Sequence, residues 1–186
     1  MQTLFDFLNS VNPMSDELQT HLARILKHRT FSKRETLLKA GHISRDIYFI
    51  ESGLLRCYYN KGIQEVCTWF MKEGDVIISV ESFYSQQPSE ETIQAITPCV
   101  VWYISHNELS YIYRNFPEFN FVGRVLTEKY YVLLRKELKG LRMQSAKERY
   151  DWLMEYHSEL ALRVPSKYLA SWLGVGEPYF STLKSL

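Results

Sequence analysis

Cysteine is scarce in this chain: Cys57, Cys67 and Cys99 are the three. An odd number at wide spacing suits neither a secreted disulfide scaffold nor a CxxC metal knuckle, so reduced thiols in a cytoplasm are expected. An iron–sulfur cluster wants four thiolates, which leaves core positions as the expectation for these three. The five histidines, His21, His28, His42, His106 and His157, form no HxH or HExxH pair, so no metal site is nominated. A surface or capping role for each outweighs haem ligation by one of them. No GxSxG or GxxxxGK[ST] string occurs either. No catalytic residue is nominated, and an enzyme is not expected.

Long apolar runs are missing as well. The longest uncharged stretch, Thr92 to Asn107, is broken by Thr, Gln, Pro and Asn and falls short of the ~18 apolar residues a membrane span needs. The opening Met-Gln-Thr-Leu-Phe-Asp has no basic segment followed by an apolar core, so neither export nor membrane attachment is expected. An excess of one charge is also lacking: 22 Lys+Arg face 21 Asp+Glu, a net +1. Global charge therefore names no polyanionic partner, and a nucleic-acid reading must rest on local pattern. With only 8 Gly and 6 Pro, collagen-like and low-complexity classes are excluded. What remains is a 186-residue chain, 46% hydrophobic and 23% charged, suited to one large domain or two small ones.

Residues 1 to about 30 carry a helical pattern: Leu4, Leu8 and Val11, then Leu18, Leu22, Ile25 and Leu26, with a second start at Ser15. From Glu35 the apolar runs shorten to strand length: Thr36–Leu38, Ile47–Ile50, Leu54–Tyr59, Val66–Met71, Val76–Val80 and Val100–Ile104. Gly41, Gly53, Gly62 and Gly74 punctuate them at the regular spacing of a sandwich, roll or barrel, and Asn60-Lys61-Gly62 suits a hairpin turn.

Helical periodicity returns at Ser105-His106-Asn107-Glu108, a capping box in which Ser and Glu satisfy each other's free backbone N–H groups. Pro117 suits the first turn of a helix running to Arg142, with Phe119, Val122, Leu126, Tyr130, Leu133, Leu134, Leu138 and Leu141 along one stripe. At 1.5 Å per residue it spans roughly 39 Å, too long for one face of a small roll to cover. Pairing with a second copy is the preferred reading of its far end, and packing on its own domain the alternative. A second capping box, Ser145 to Glu148, starts another helix, placing a boundary near residues 142–145.

Pro165 to Leu186 reads PSKYLASWLGVGEPYFSTLKSL. A helix-turn-helix needs apolar residues where its helices pack, a small one at their closest approach, and a glycine where the turn enters the left-handed region. With Gly174 as that glycine, Leu169, Ala170, Leu173, Val175, Phe180 and Leu183 fall at the inward positions. A two-helix structural cap would bury similar residues and is the alternative.

Four segments carry a resemblance: IYFIESGLLRCYY (Ile47 to Tyr59), VCTWFMKEGDVI (Val66 to Ile77), SAKERY (Ser145 to Tyr150) and VPSKYLASWLGVGEPYFSTLK (Val164 to Lys184). In this order they resemble the Crp/Fnr superfamily of bacterial transcription regulators, over essentially the whole chain and most closely a short subgroup. The resemblance implies an α+β fold: an N-terminal cyclic-nucleotide-binding-like double-stranded β-roll (1–116), a long dimerisation helix (117–142) and a C-terminal helical helix-turn-helix domain (143–186). It implies a homodimer on double-stranded DNA, with RNA polymerase as a further partner. A ligand-binding or protein-interaction module that keeps this fold without DNA recognition is the alternative.

The implied recognition helix starts near Gly176 and turns Glu177, Pro178, Tyr179, Ser181, Thr182 and Ser185 outward, with Lys167, Tyr168 and Lys184 toward phosphates. Relatives usually carry Arg at the Thr182 position, and residues 143–186 hold five basic and five acidic side chains, a sparse footprint for DNA. In the roll, the resemblance places Ser79, Val80 and Glu81 in the segment that is Gly-Glu-Leu-Gly in cAMP-binding relatives. Ser89, Glu90 and Glu91 stand where those relatives have Arg-Ser-Ala. A hydroxyl replaces the guanidinium that would pair with a cyclic phosphate, and carboxylates beside it repel an anion. No cofactor is expected and cyclic AMP is disfavoured, unless Arg45 or Arg56 reaches across the roll in place of the missing arginine.

Overall fold

The computed structural model describes residues 1–185. Two amphipathic helices, α1 (Gln2–Val11) and α2 (Asp16–Ile25), open the chain. Each buries one leucine pair, Leu4 with Leu8 and Leu18 with Leu22, and Ser15 caps α2 by accepting the Leu18 N–H. Eight strands follow: β1 (Lys27–Phe31), β2 (Thr36–Leu38), β3 (Asp46–Ser52), β4 (Leu55–Lys61), β5 (Gln64–Met71), β6 (Val76–Ile77), β7 (Glu91–Ala95) and β8 (Cys99–Ser105), with helix α3 (Val80–Ser85) between β6 and β7. They form two four-stranded sheets, ordered β1-β8-β3-β6 and β2-β7-β4-β5, a β-roll in an α+β chain. The central ladder runs antiparallel from Asp46 opposite Ser105 to Ser52 opposite Val100.

The remaining helices are α4 (His106–Asn115), α5 (Pro117–Met143), α6 (Ala146–Tyr156), α7 (Ser158–Arg163), α8 (Ser166–Trp172) and α9 (Glu177–Leu183). Both expected capping boxes form: Ser105 accepts the Glu108 N–H while Glu108 accepts the Ser105 N–H, and Ser145 and Glu148 do the same. Glu108 also holds Lys27 at 2.8 Å, tying the start of α4 to β1. Its carboxyl is lowered despite partial burial, because Lys27 and the cap both favour the charged form.

The chain divides into two compact units, residues 1–57 with 70–127, and residues 58–69 with the chain from Glu128 onward. In the first, Leu8, Leu22, Phe49, Ile104, Ile112 and Val122 belong to one apolar cluster between the helices and the β3–β8 ladder. In the second, Leu153, Leu160, Val164, Leu169, Phe180 and Leu183 are buried.

Several elements differ from the sequence expectation. Residues 27–31 are a strand where the helical pattern was extended to about 30; four of the five are exposed, so no apolar alternation marks them, and the ladder to β8 supplies their order. The run Val76–Val80 is a strand only as far as Ile77, since Ser79 leads into α3. β7 and α7 carried no strong apolar run of their own. The β4–β5 turn falls as expected, with Gly62 at φ +63.

Candidate functional site

Helices α8 and α9 pack as a pair around a turn whose conformation is set by Gly174 at φ +68. The Gly174 N–H donates to the Ser171 carbonyl and the Val175 N–H to the Ala170 carbonyl, the two bonds of a Schellman motif, which requires a left-handed residue. Leu169, Ala170, Leu173, Phe180 and Leu183 are buried and Val175 is half-buried, the inward set expected from the sequence. Tyr150 of α6 meets Phe180 edge-on at 5.7 Å and closes this small core.

Glu177, Pro178, Tyr179, Ser181, Thr182, Lys184 and Ser185 are exposed along α9. Lys167 is exposed on α8, its Nζ 4.7 Å from the ring of half-buried Tyr168. Three hydroxyls of α9 and the residues after it fold back on the helix: Ser181 donates to the Glu177 carbonyl, Thr182 to Pro178 and Ser185 to Ser181. Their hydrogens are engaged, so toward a ligand they offer lone pairs and, for Thr182, a methyl group. Arg149 has a positioning role that its place in SAKERY did not reveal. Its Nε donates to the Leu173 carbonyl at 2.9 Å and a terminal nitrogen to the Gln144 carbonyl, joining the turn of the helix pair to the end of α5.

Along α5, Phe119 and Val122 are buried, whereas Tyr131, Val132, Leu134, Leu141 and Met143 on its second half are all at least half exposed. Tyr131, Val132, Arg135, Lys136 and Lys139 border a shallow depression of about 320 Å³ on the same stretch. Burial pushes the Glu137 carboxyl up to about 8, so it is largely protonated at neutral pH.

In the roll, the structure brings together three of the six residues named for its interior. Ser79 and Ser89 are buried with their hydroxyls 2.9 Å apart, and Ser89 Oγ accepts the Glu91 N–H and donates to the Glu91 carbonyl. Val80, Glu81 and Glu90 are exposed. Burial raises the Glu91 carboxyl above the usual range, against the hydrogen bond with Ser79, and the charge of Glu81 adds to the rise. Arg56 is fully buried and directs its Nε to Gln94 Oε1 at 3.0 Å, while Arg45 is exposed. The three cysteines are buried thiols, and among the described residues no cluster of three or more His, Cys, Asp or Glu is placed to hold a metal ion. Among the same residues no helix is long and apolar enough to cross a membrane.

A β-roll, a long helix and a terminal helix pair follow one another along this chain, an order that comparison with known proteins also finds. Residues 28–116 match the family model of the cyclic nucleotide-binding domain. No curated protein matches the chain in sequence. Among solved structures, a CooA variant from Carboxydothermus hydrogenoformans is 20% identical, with a TM-score of 0.73, covering 98% of this chain and 82% of that one. The c-di-GMP responsive global regulator CLP of Xanthomonas campestris is 14% identical at a TM-score of 0.75, covering 92% and 90%. A transcriptional regulator assigned to the Crp/Fnr family, from Eubacterium rectale, is 16% identical at 0.74, covering 96% and 85%. This chain shares the fold of all three, one of which is assigned to the Crp/Fnr family of transcription regulators.

Proposed function

We propose that this protein is a dimeric, sequence-specific DNA-binding transcription regulator of the Crp/Fnr type. The observation that carries the reading is the α8–α9 pair: a helix-turn-helix core of six inward positions around left-handed Gly174, with a polar, exposed outer face on α9. In that mode α9 enters the major groove, α8 crosses the phosphate backbone, and two copies present their recognition helices about 34 Å apart to a roughly palindromic site. The exposed apolar surface of α5 is the surface through which the copies pair.

Selection from random duplex DNA is expected to enrich a palindromic sequence. On that sequence Lys184→Ala is expected to weaken binding to all variants alike and flatten the salt slope by about one unit, as removal of a phosphate contact does. Absence of any enriched sequence at low and moderate salt would overturn the reading. The sparse positive charge of residues 143–186 favours the second reading, a ligand-binding or protein-interaction module of the same fold, which that result would leave standing.

The roll in this proposal does not hold a cyclic nucleotide through an Arg–phosphate pair. Support comes from Ser89, which the resemblance aligns with the phosphate-pairing arginine of cAMP-binding relatives, and from Arg56, whose guanidinium is engaged by Gln94. Calorimetric titration with cyclic AMP and cyclic GMP is expected to show no micromolar binding; heat from either at that concentration would refute it.

A further inference from the structure

Ser171 lies outside the α8–α9 core, on the face of α8 that also carries Lys167 one turn earlier. Its Oγ accepts the Cys67 N–H at 2.9 Å and donates to the Glu65 carbonyl at 3.1 Å. Both partners are backbone groups of β5, which stands at the edge of its sheet. Around Val66 the hydroxyl thus makes the pair of bonds that a residue on a neighbouring parallel strand would make, so the Ser171 side chain fastens α8 to the hairpin edge. Residues 58–69 belong with the C-terminal helices to one compact unit.

We infer that this contact is an autoinhibitory latch, in which the β4–β5 hairpin occupies the face of α8 that must meet the DNA backbone. The inference rests on the DNA-binding reading above. Its sign follows from position: by helical periodicity Lys167 and Ser171 share one face, and a helix that crosses the backbone presents that face to phosphates. The hairpin edge meets that face with the backbone of Glu65 and Cys67. Hairpin and DNA therefore exclude each other, and whatever moves the hairpin frees the helix pair. Two neutral hydrogen bonds at their ordinary net worth correspond to about a 5- to 150-fold shift between latched and free forms, small enough to be switched.

The test is Ser171→Ala in the full chain, with Ser171→Thr retaining the hydroxyl. Alanine is the better helix former, so α8 persists in the variant. Affinity is measured on duplexes selected from a random pool with each protein, and hydrogen exchange is followed at the Cys67 amide. Ser171→Ala is expected to bind about 5- to 150-fold more tightly than the parent, with faster exchange at Cys67, while Ser171→Thr stays close to the parent in both. Unchanged or weaker binding by Ser171→Ala, on DNA that the parent also binds, overturns the latch alone. Failure of all three proteins to bind any DNA overturns the DNA-binding reading, and the latch with it.

Discussion

Leu134→Glu is expected to halve the mass seen by light scattering and to reduce affinity for a palindromic site by about 100-fold or more, with the fold of each protomer intact. Leu134 is 53% exposed in the single chain, so the substitution removes little of that chain's own packing, and an exposed change of this kind alters stability by about 0.5 kcal/mol or less. In a symmetric seam the same change places two carboxylates against apolar side chains, once from each copy, at a cost of several kcal/mol. A monomer then has only one recognition helix. Linked half-sites gain a factor of about 10²–10⁴ from effective concentration, and that factor is what disappears. A dimer that persists with unchanged affinity would move the subunit contact away from this part of α5.

Gly53→Ala is expected to cost the roll about 2–6 kcal/mol, a large part of an ordinary domain's stability, and to lower its melting temperature by roughly 10 °C. The residue turns β3 into β4 at φ +102, a conformation side-chain-bearing residues rarely adopt. A Cβ there would lie 2.5 Å from both the Pro98 carbonyl oxygen and Cys99 Sγ, and 2.7 Å from Cys99 Cα. Backbone atoms cannot step aside as a flexible side chain can. The corner is further fixed by Gly53 N–H to Glu73 and Leu54 N–H to Thr97 Oγ1. Gly41→Ala is the control: φ is +88 but nothing lies within 4 Å, so it should show the conformational penalty without the collision. Equal losses in the two variants would show that the collision is relieved.

The parts of this fold that were legible in the sequence are those where one residue type has one use. Gly174, flanked by apolar residues at helical spacing, located the turn between α8 and α9, and Ser105 with Glu108 located the start of α4, because these patterns satisfy specific backbone groups. β1 was not legible: Lys27, His28, Arg29 and Thr30 are exposed, and their strand conformation comes from hydrogen bonds to β8, more than 60 residues away. Helix α3 was hidden for the opposite reason, since Ile77-Ile78-Ser79-Val80 has strand-like composition and only the turn of the roll bends it. Family resemblance named Ser79, Val80, Glu81, Ser89, Glu90 and Glu91, but neither that Val80, Glu81 and Glu90 are exposed nor that Ser79 and Ser89 bond to each other. Arg149 and Ser171 were invisible as positioning residues because their partners are backbone carbonyls and amides, which any sequence possesses.

Helix α5 is anchored at one end, where Phe119 and Val122 sit in the apolar cluster, and belongs to the second compact unit from Glu128 onward. A rod held that way is a lever. Val122 and Met143 are about 32 Å apart along the axis at ~1.5 Å per residue, so a tilt of about 10° at the anchor carries the far end roughly 5 Å sideways. That displacement exceeds the reach of a hydrogen bond, so a rearrangement too small to alter the packing around Val122 is enough to change which atoms can meet at the other end.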